Sequence, residues 1–132
     1  MENKNPQNEE PNDTDREIEY YPDNAVVKEL KAVPERHRDR FLLSLSLLAK
    51  GLKPTCDVKQ LDSIDRNIYE LIINGRPAWR CIYYTGDSGK IVVMHATKKT
   101  TNGSDRQIAN VVEQRLKAWR GLKKQGGKAK AA

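Results

Sequence analysis

The sequence is poor in the residues that staple small folds or hold metals. It has 2 cysteines, 2 histidines and 1 phenylalanine among 132 residues. Cys56 and Cys81 are too few for a disulfide scaffold and lack the short spacing of zinc ligands. They read as two thiols of a reducing compartment. His37 and His95 have no cluster of carboxylates around them in the sequence to complete a metal site. No apolar run approaches the ~18 residues of a membrane-spanning helix. The segment Met1 to Pro6 has no apolar stretch of the kind a secretory signal needs. There is no glycine-rich phosphate loop, no zinc-protease His-Glu-x-x-His and no Ser-His-Asp arrangement. The expectation is a cytoplasmic protein with no metal, no small-molecule cofactor and no membrane partner.

Charge, by contrast, is abundant. The chain carries 24 Lys and Arg against 18 Asp and Glu, for a net charge of +6. That mean conceals an asymmetry. Residues 1–23 hold eight acids and two bases, a net −6, and residues 24–132 hold ten acids and 22 bases, a net +12. An acidic arm precedes a strongly basic body, and such a body suits a polyanionic partner. The length suits one domain. Residues 1–15 contain no large apolar residue beyond Met1 and read as a disordered acidic arm. Residues 121–132 read as a flexible basic tail carrying Lys123, Lys124, Lys128 and Lys130. The folded domain then spans 16–120.

Periodicity predicts the elements. Ile18–Tyr21 is a short strand, ended by Pro22. Asp23 or Asn24 is placed to cap a helix over Ala25–Ala32. Pro34 fits the first position of a second helix, whose buried stripe is Phe41, Leu42, Leu45 and Leu48. Gly51 supplies its stop. These two helices form a hairpin. After Pro54 the period becomes extended, with strands at 58–61, 67–73, 78–85 and 90–96. Asn74-Gly75 and the segment Gly86–Gly89 join the last three as hairpins. Ser104 and Gln107 have the spacing of a capping box. They open a helix that buries Ile108, Val111, Val112 and Leu116. The fold class is α+β: a small antiparallel sheet of about four to five strands, packed against an N-terminal helical hairpin and a C-terminal helix.

Bases gather on the strand meander. Lys59, Arg66, Arg76, Arg80, Lys98 and Lys99 lie on or beside successive strands. Arg80 sits inside an apolar strand, where it needs an acidic partner or a ligand. Glu70, on the strand opposite, offers the first. A phosphate would offer the second, since the guanidinium fork makes paired hydrogen bonds to it. His95 ends an apolar strand and reads either as a structural histidine or as a proton carrier near neutral pH. Tyr83 and Tyr84 read as core residues or as stacking and proton-sharing groups. Lys98-Lys99, between a strand and a helix start, are solvated charge or a phosphate hold. Cleavage of RNA by its own 2′-hydroxyl requires only orientation, charge neutralisation and proton transfer. These residue types supply all three.

The same stretches resemble a family. Val33-Pro34-Glu35-Arg36 through Lys50-Gly51, Val58–Leu61, Ile68-Tyr69-Glu70-Leu71, Gly75–Tyr84 and Ile91–Thr100 are similar to the HigB-like toxins of the RelE/ParE superfamily, in the phage-derived branch. The family pattern runs Tyr-Glu-Leu-Arg, then Arg-x-x-Tyr, then His-x-Phe-x-Lys-Lys. Its order and spacing persist here over about Glu17–Arg120. The chain departs from it at Ile72, where the family often has arginine, at Thr97, where an aromatic is usual, and at Gly103-Ser104, in place of Thr-Pro.

The resemblance implies a RelE-like fold and the toxin component of a type II toxin–antitoxin system. Such a toxin is a ribosome-dependent, metal-independent mRNA endonuclease that inhibits translation. Its implied partners are mRNA on the ribosome and a helix-turn-helix antitoxin. Carried over by position, the implied catalytic residues are Arg80, His95 and Tyr83, and the implied RNA-contacting residues are Lys59, Arg76, Lys98 and Lys99. The loss of arginine at Ile72 keeps a second expectation open: an inactive phage or mobile-element protein that uses the same fold to bind RNA or a protein.

Overall fold

The computed structural model describes residues 15–99 and 104–131. The acidic arm therefore lies outside the described residues apart from Asp15. The elements run β1 (Glu17–Tyr20), α1 (Asp23–Ala32), α2 (Glu35–Ala49), β2 (Asp57–Gln60), β3 (Ile68–Ile73), β4 (Ala78–Tyr84), β5 (Lys90–Lys99) and α3 (Ser104–Ala131). They form one five-stranded sheet in the order β1-β5-β4-β3-β2. The helical hairpin covers one face and α3 covers the other. This is the expected α+β architecture and agrees with a RelE-like fold.

The sheet differs from the expectation in one pairing. The meander β2–β5 is antiparallel throughout, but β1 joins β5 in parallel, Glu17 opposite Lys90 and Tyr20 opposite Val93. The chain enters β1 and β5 from the same end of the sheet, because Glu17 N–H donates to Gly89 O. Nothing in the local pattern of four residues encodes that direction.

The helical hairpin follows its stripe. Phe41 and Leu45 are fully buried, and Leu42 and Leu48 are partly buried against the same core. α2 ends as expected: Gly51 is at φ +78, Gly51 N–H donates to Leu48 O, and Leu52 N–H donates to Leu47 O. This paired closure satisfies carbonyls that the helix leaves open. The helix starts are corrected. Pro22 stands at the N-cap of α1 with no side-chain cap, so neither Asp23 nor Asn24 takes that role; Asp23 lies in the first turn, where a carboxylate complements the helix dipole. Pro34 is the N-cap of α2, one residue before the helix.

Ser44 explains how the chain turns from helix into sheet. It is fully buried in α2, and its Oγ accepts the N–H groups of Thr55 at 3.1 Å and Cys56 at 3.2 Å. The approach to β2 is thus fastened to α2. On the other face, α3 buries Ile108, Val112, Leu116 and Trp119 against Ile68, Ile82, Val92 and Met94. Val111 is only partly buried. The helix continues to Ala131, past the expected end at Arg120 and through the segment read as a flexible tail. Leu122 through Gln125 favour helix, and the element runs on through Gly121, Gly126 and Gly127. The side chain of Ser104 and the expected capping box lie outside the described residues. Among the described residues, no helix is long and apolar enough to cross a membrane.

Candidate functional site

Strand alternation decides which expected site residues meet. Arg80, Ile82 and Tyr84 face α3, whereas Cys81 and Tyr83 face the helical hairpin. Arg80 is opposite Ile72 on β3 and Thr97 on β5. Glu70, two positions back along β3 and opposite Ile82, lies diagonally across from it. The pair meets at 3.4 Å between Arg80 Nε and Glu70 Oε1, both side chains being 10% exposed. The alignment is too poor for a hydrogen bond, so Nε stays buried without a hydrogen-bond partner among the described residues, and Nη1 donates to Trp79 O at 3.3 Å. Burial pushes the Glu70 carboxyl up, and the opposing pull of Arg80, Lys59 and Lys99 does not offset it. Of the two roles open to Arg80, the structure supplies the acidic partner.

Two further expected residues gather round this pair, and a third stands apart. Lys59 on β2 is opposite Glu70 and exposed. With Glu70, Ser63, Asp105 and Ile108 it borders a cavity of about 200 Å³. Lys99 reaches α3 and pairs with Asp105 at 2.9 Å. Arg76 stands exposed in the turn between β3 and β4, beyond the end of the cluster.

Tyr83 is not among them. It lies in the core beneath the helical hairpin, 3% exposed, with its ring stacked on Tyr69 at 5.6 Å between centroids. Burial pushes its hydroxyl well up from the usual phenol value, against loss of the proton. The sheet separates it from Arg80 and Glu70. Tyr84 is on the α3 face, with its hydroxyl 3.4 Å from Arg120 Nη2.

His95 belongs to a second cluster, which the sequence reading missed. Beyond the end of β1, β5 has no strand neighbour on that side among the described residues, and Glu29 of α1 and Arg115 of α3 close the gap. Glu29 Oε1 is 3.0 Å from His95 Nδ1 and accepts the Ala96 N–H at 3.1 Å. Arg115 donates to both carboxylate oxygens, Nη1 to Oε1 at 3.1 Å and Nη2 to Oε2 at 2.8 Å, and also to Met94 O at 2.8 Å. Burial alone would raise the Glu29 carboxyl, but hydrogen bonds from His95, Arg115 and the Ala96 N–H bring it down to about 2.

Glu29 had a legible signal. It lies three residues after Val26 and one before Leu30, inside the buried stripe of α1, where an acid requires a partner. Arg115 interrupts the α3 stripe next to Leu116 in the same way.

His95 also borders a cavity of about 440 Å³ with Thr97, Lys98, Gln107, Ile108 and Asn110. Lys98 is the exposed cation at its mouth. Ile108, in the second turn of α3, borders both this cavity and the one beside Lys59. The two clusters therefore flank the first turns of one helix. Among the described residues, no group of three His, Cys, Asp or Glu is placed to hold a metal ion.

Fold and site together define a small α+β protein of RelE-like architecture, with a basic surface and a carboxylate-bound histidine beside the start of its last helix. Residues 28–117 match the phage-derived Gp49-like family (DUF891), and the chain belongs to it. That match covers every strand and helix that lines the two cavities except the last turns of α3. No curated protein and no solved structure gives a significant match to the chain.

Proposed function

We propose that this protein is the toxin of a type II toxin–antitoxin pair, of the HigB-like kind, and that it cuts mRNA on the ribosome in the cytoplasm. The ribose 2′-hydroxyl is the nucleophile, and a small helix-turn-helix antitoxin holds the toxin inactive. One observation carries this reading: Lys59, Lys98, Lys99 and Arg80 converge with His95 on the two sides of the first turns of α3. Cations arranged along a path of this kind suit a phosphodiester backbone, and a histidine within it supplies proton transfer. Membership of a phage-derived family supports the same reading.

Lys98 and Lys59 hold flanking phosphates in this account, with Lys99 and the edge of the Arg80 guanidinium behind them. Arg76 extends the positive surface at the strand turn. Tyr83, enclosed on the far face, takes no part. Induced expression is expected to arrest growth and to yield mRNA cuts that require ribosomes. Lys98→Ala with Lys59→Ala, both at exposed positions, should relieve the arrest without lowering protein abundance. Full toxicity of that double variant would sink the assignment of the basic path. A small helix-turn-helix reading frame beside the gene would support the antitoxin.

One observation favours a second reading. Arg80 is 9% exposed and already paired with Glu70, while the family's usual neighbouring arginine is Ile72. A fold retained for binding RNA or a protein without cutting fits those facts. Purified protein that binds translating ribosomes and leaves their mRNA intact would decide for it.

A further inference from the structure

The Glu29–His95–Arg115 cluster is built more elaborately than a strut between two helices needs to be. An ionised carboxylate can only accept hydrogen bonds. Glu29 is ionised, so the short contact at 3.0 Å requires the proton to be on His95 Nδ1. Arg115 Nη1 also lies 3.4 Å from Nδ1, but guanidinium only donates, and a protonated Nδ1 cannot accept. That approach is therefore a side-by-side contact, and the carboxylate sets the tautomer. Arg115 and the Ala96 N–H fix the carboxylate in turn. Nε2 has no hydrogen-bond partner among the described residues, and the ring borders the cavity that Thr97, Lys98, Gln107 and Asn110 line with polar groups. An acid that orients a histidine through one ring nitrogen leaves the other free to take a proton.

We propose that Glu29 and Arg115 are positioning residues that hold the Nδ1 proton of His95 toward Glu29 and present Nε2 to an RNA ribose in the cavity beside α3, so that His95 is the catalytic base. The inference rests on the endonuclease reading above. In the step, Nε2 accepts the 2′-hydroxyl proton as the 2′-oxygen bonds to phosphorus. The bond from phosphorus to the 5′-oxygen breaks, and the departing oxygen takes a proton from water. The hydroxide left behind removes the proton from Nε2. The products are a 2′,3′-cyclic phosphate and a 5′-hydroxyl, with no net change in the protein. Glu29 offsets the positive charge that the ring carries between these transfers. The chemistry is thereby placed at His95, and the Glu70–Arg80 pair becomes part of the surface that holds the backbone.

Two measurements on the full chain test this. Nitrogen-15 NMR of the imidazole at neutral pH is expected to find the His95 proton on Nδ1; a proton on Nε2 overturns the proposal, whatever the activity. Single-turnover cleavage of mRNA on programmed ribosomes is then compared for the wild type and Glu29→Gln, which keeps the shape and removes the charge. The cleavage rate should fall about 10²-fold with ribosome affinity unchanged. A folded Glu29→Gln protein that cuts at the wild-type rate refutes the inference while the endonuclease reading stands. A wild type that binds ribosomes and cuts nothing refutes that reading and the step together, and the silent wild type distinguishes the two failures. Should Glu29→Gln fail to fold, the tautomer in the wild type still decides.

Discussion

Glu29 and Glu70 are both carboxylates on the inner surface of this protein, and their surroundings push them in opposite directions. Four hydrogen bonds reach the Glu29 carboxylate and stabilise its charge. Glu70 has one poorly aligned guanidinium and loses more by burial than it regains. The linkage signs follow. Glu29, brought down to about 2, contributes stability that is present above the ordinary carboxylate range and is lost as pH falls toward 2. Glu70, raised, favours the folded state at low pH and withdraws that contribution as pH rises through its folded value. Urea melts between about pH 5 and 2.5 should therefore show a shallower acid loss for Glu29→Gln than for the wild type. An identical acid limb would contradict the ion network. Arg80→Leu should cost about 3–5 kcal/mol at neutral pH, because it leaves Glu70 buried without its cation. Part of that cost should return on acidification, as Glu70 takes up a proton, and melts of the variant at pH 4 and 7 would show it.

At the level of elements, the sheet is held to its helices by small polar contacts as well as by apolar packing. Ser44 accepts two backbone N–H groups at the entrance to β2. Ser44→Ala strands both donors and should cost about 1–3 kcal/mol. Amide hydrogen exchange should then accelerate at Thr55 and Cys56 before it does in β4, and uniform protection would count against a local fastening. α3 depends on Trp119, the last residue buried among its described side chains. Trp119 is 2% exposed, packs edge-on against Tyr21 and donates from Nε1 to Asp87 Oδ2 at 2.7 Å. Trp119→Ala should cost about 3–5 kcal/mol, measured by denaturant titration. β2 is an edge strand whose four residues are all exposed, and the charges of Asp57 and Lys59 discourage pairing with a second chain there.

For the molecule as a whole, the dominant quantity is the basic excess of residues 24–132. If the surface beside α3 carries RNA, affinity should fall steeply with salt, and each lysine removed from it should lower the slope of log K against log salt by about one. Lys59→Ala and Lys98→Ala should each do so, while Lys31→Ala, on an exposed position of α1, should not; equal effects from all three would indicate diffuse attraction.

The sequence by itself determined the element order, the helical stripes, the glycine stop at 51 and the hairpin at Asn74-Gly75. Each of these follows from local period or backbone freedom, which a single stretch of chain contains. It also pointed to Lys59, Arg80 and Lys99 as near neighbours, because they lie on successive strands of a meander, while Arg76 and Lys98 stand apart from them. Only the tertiary structure decided the parallel direction of β1, the enclosure of Tyr83 on the far face and the partnership of Glu29, His95 and Arg115. These bring together residues from α1, β5 and α3 that lie 66 and 86 positions apart in the chain. A charged residue within an apolar stripe announces that a partner exists; the packing of two helices on one sheet determines which partner it is.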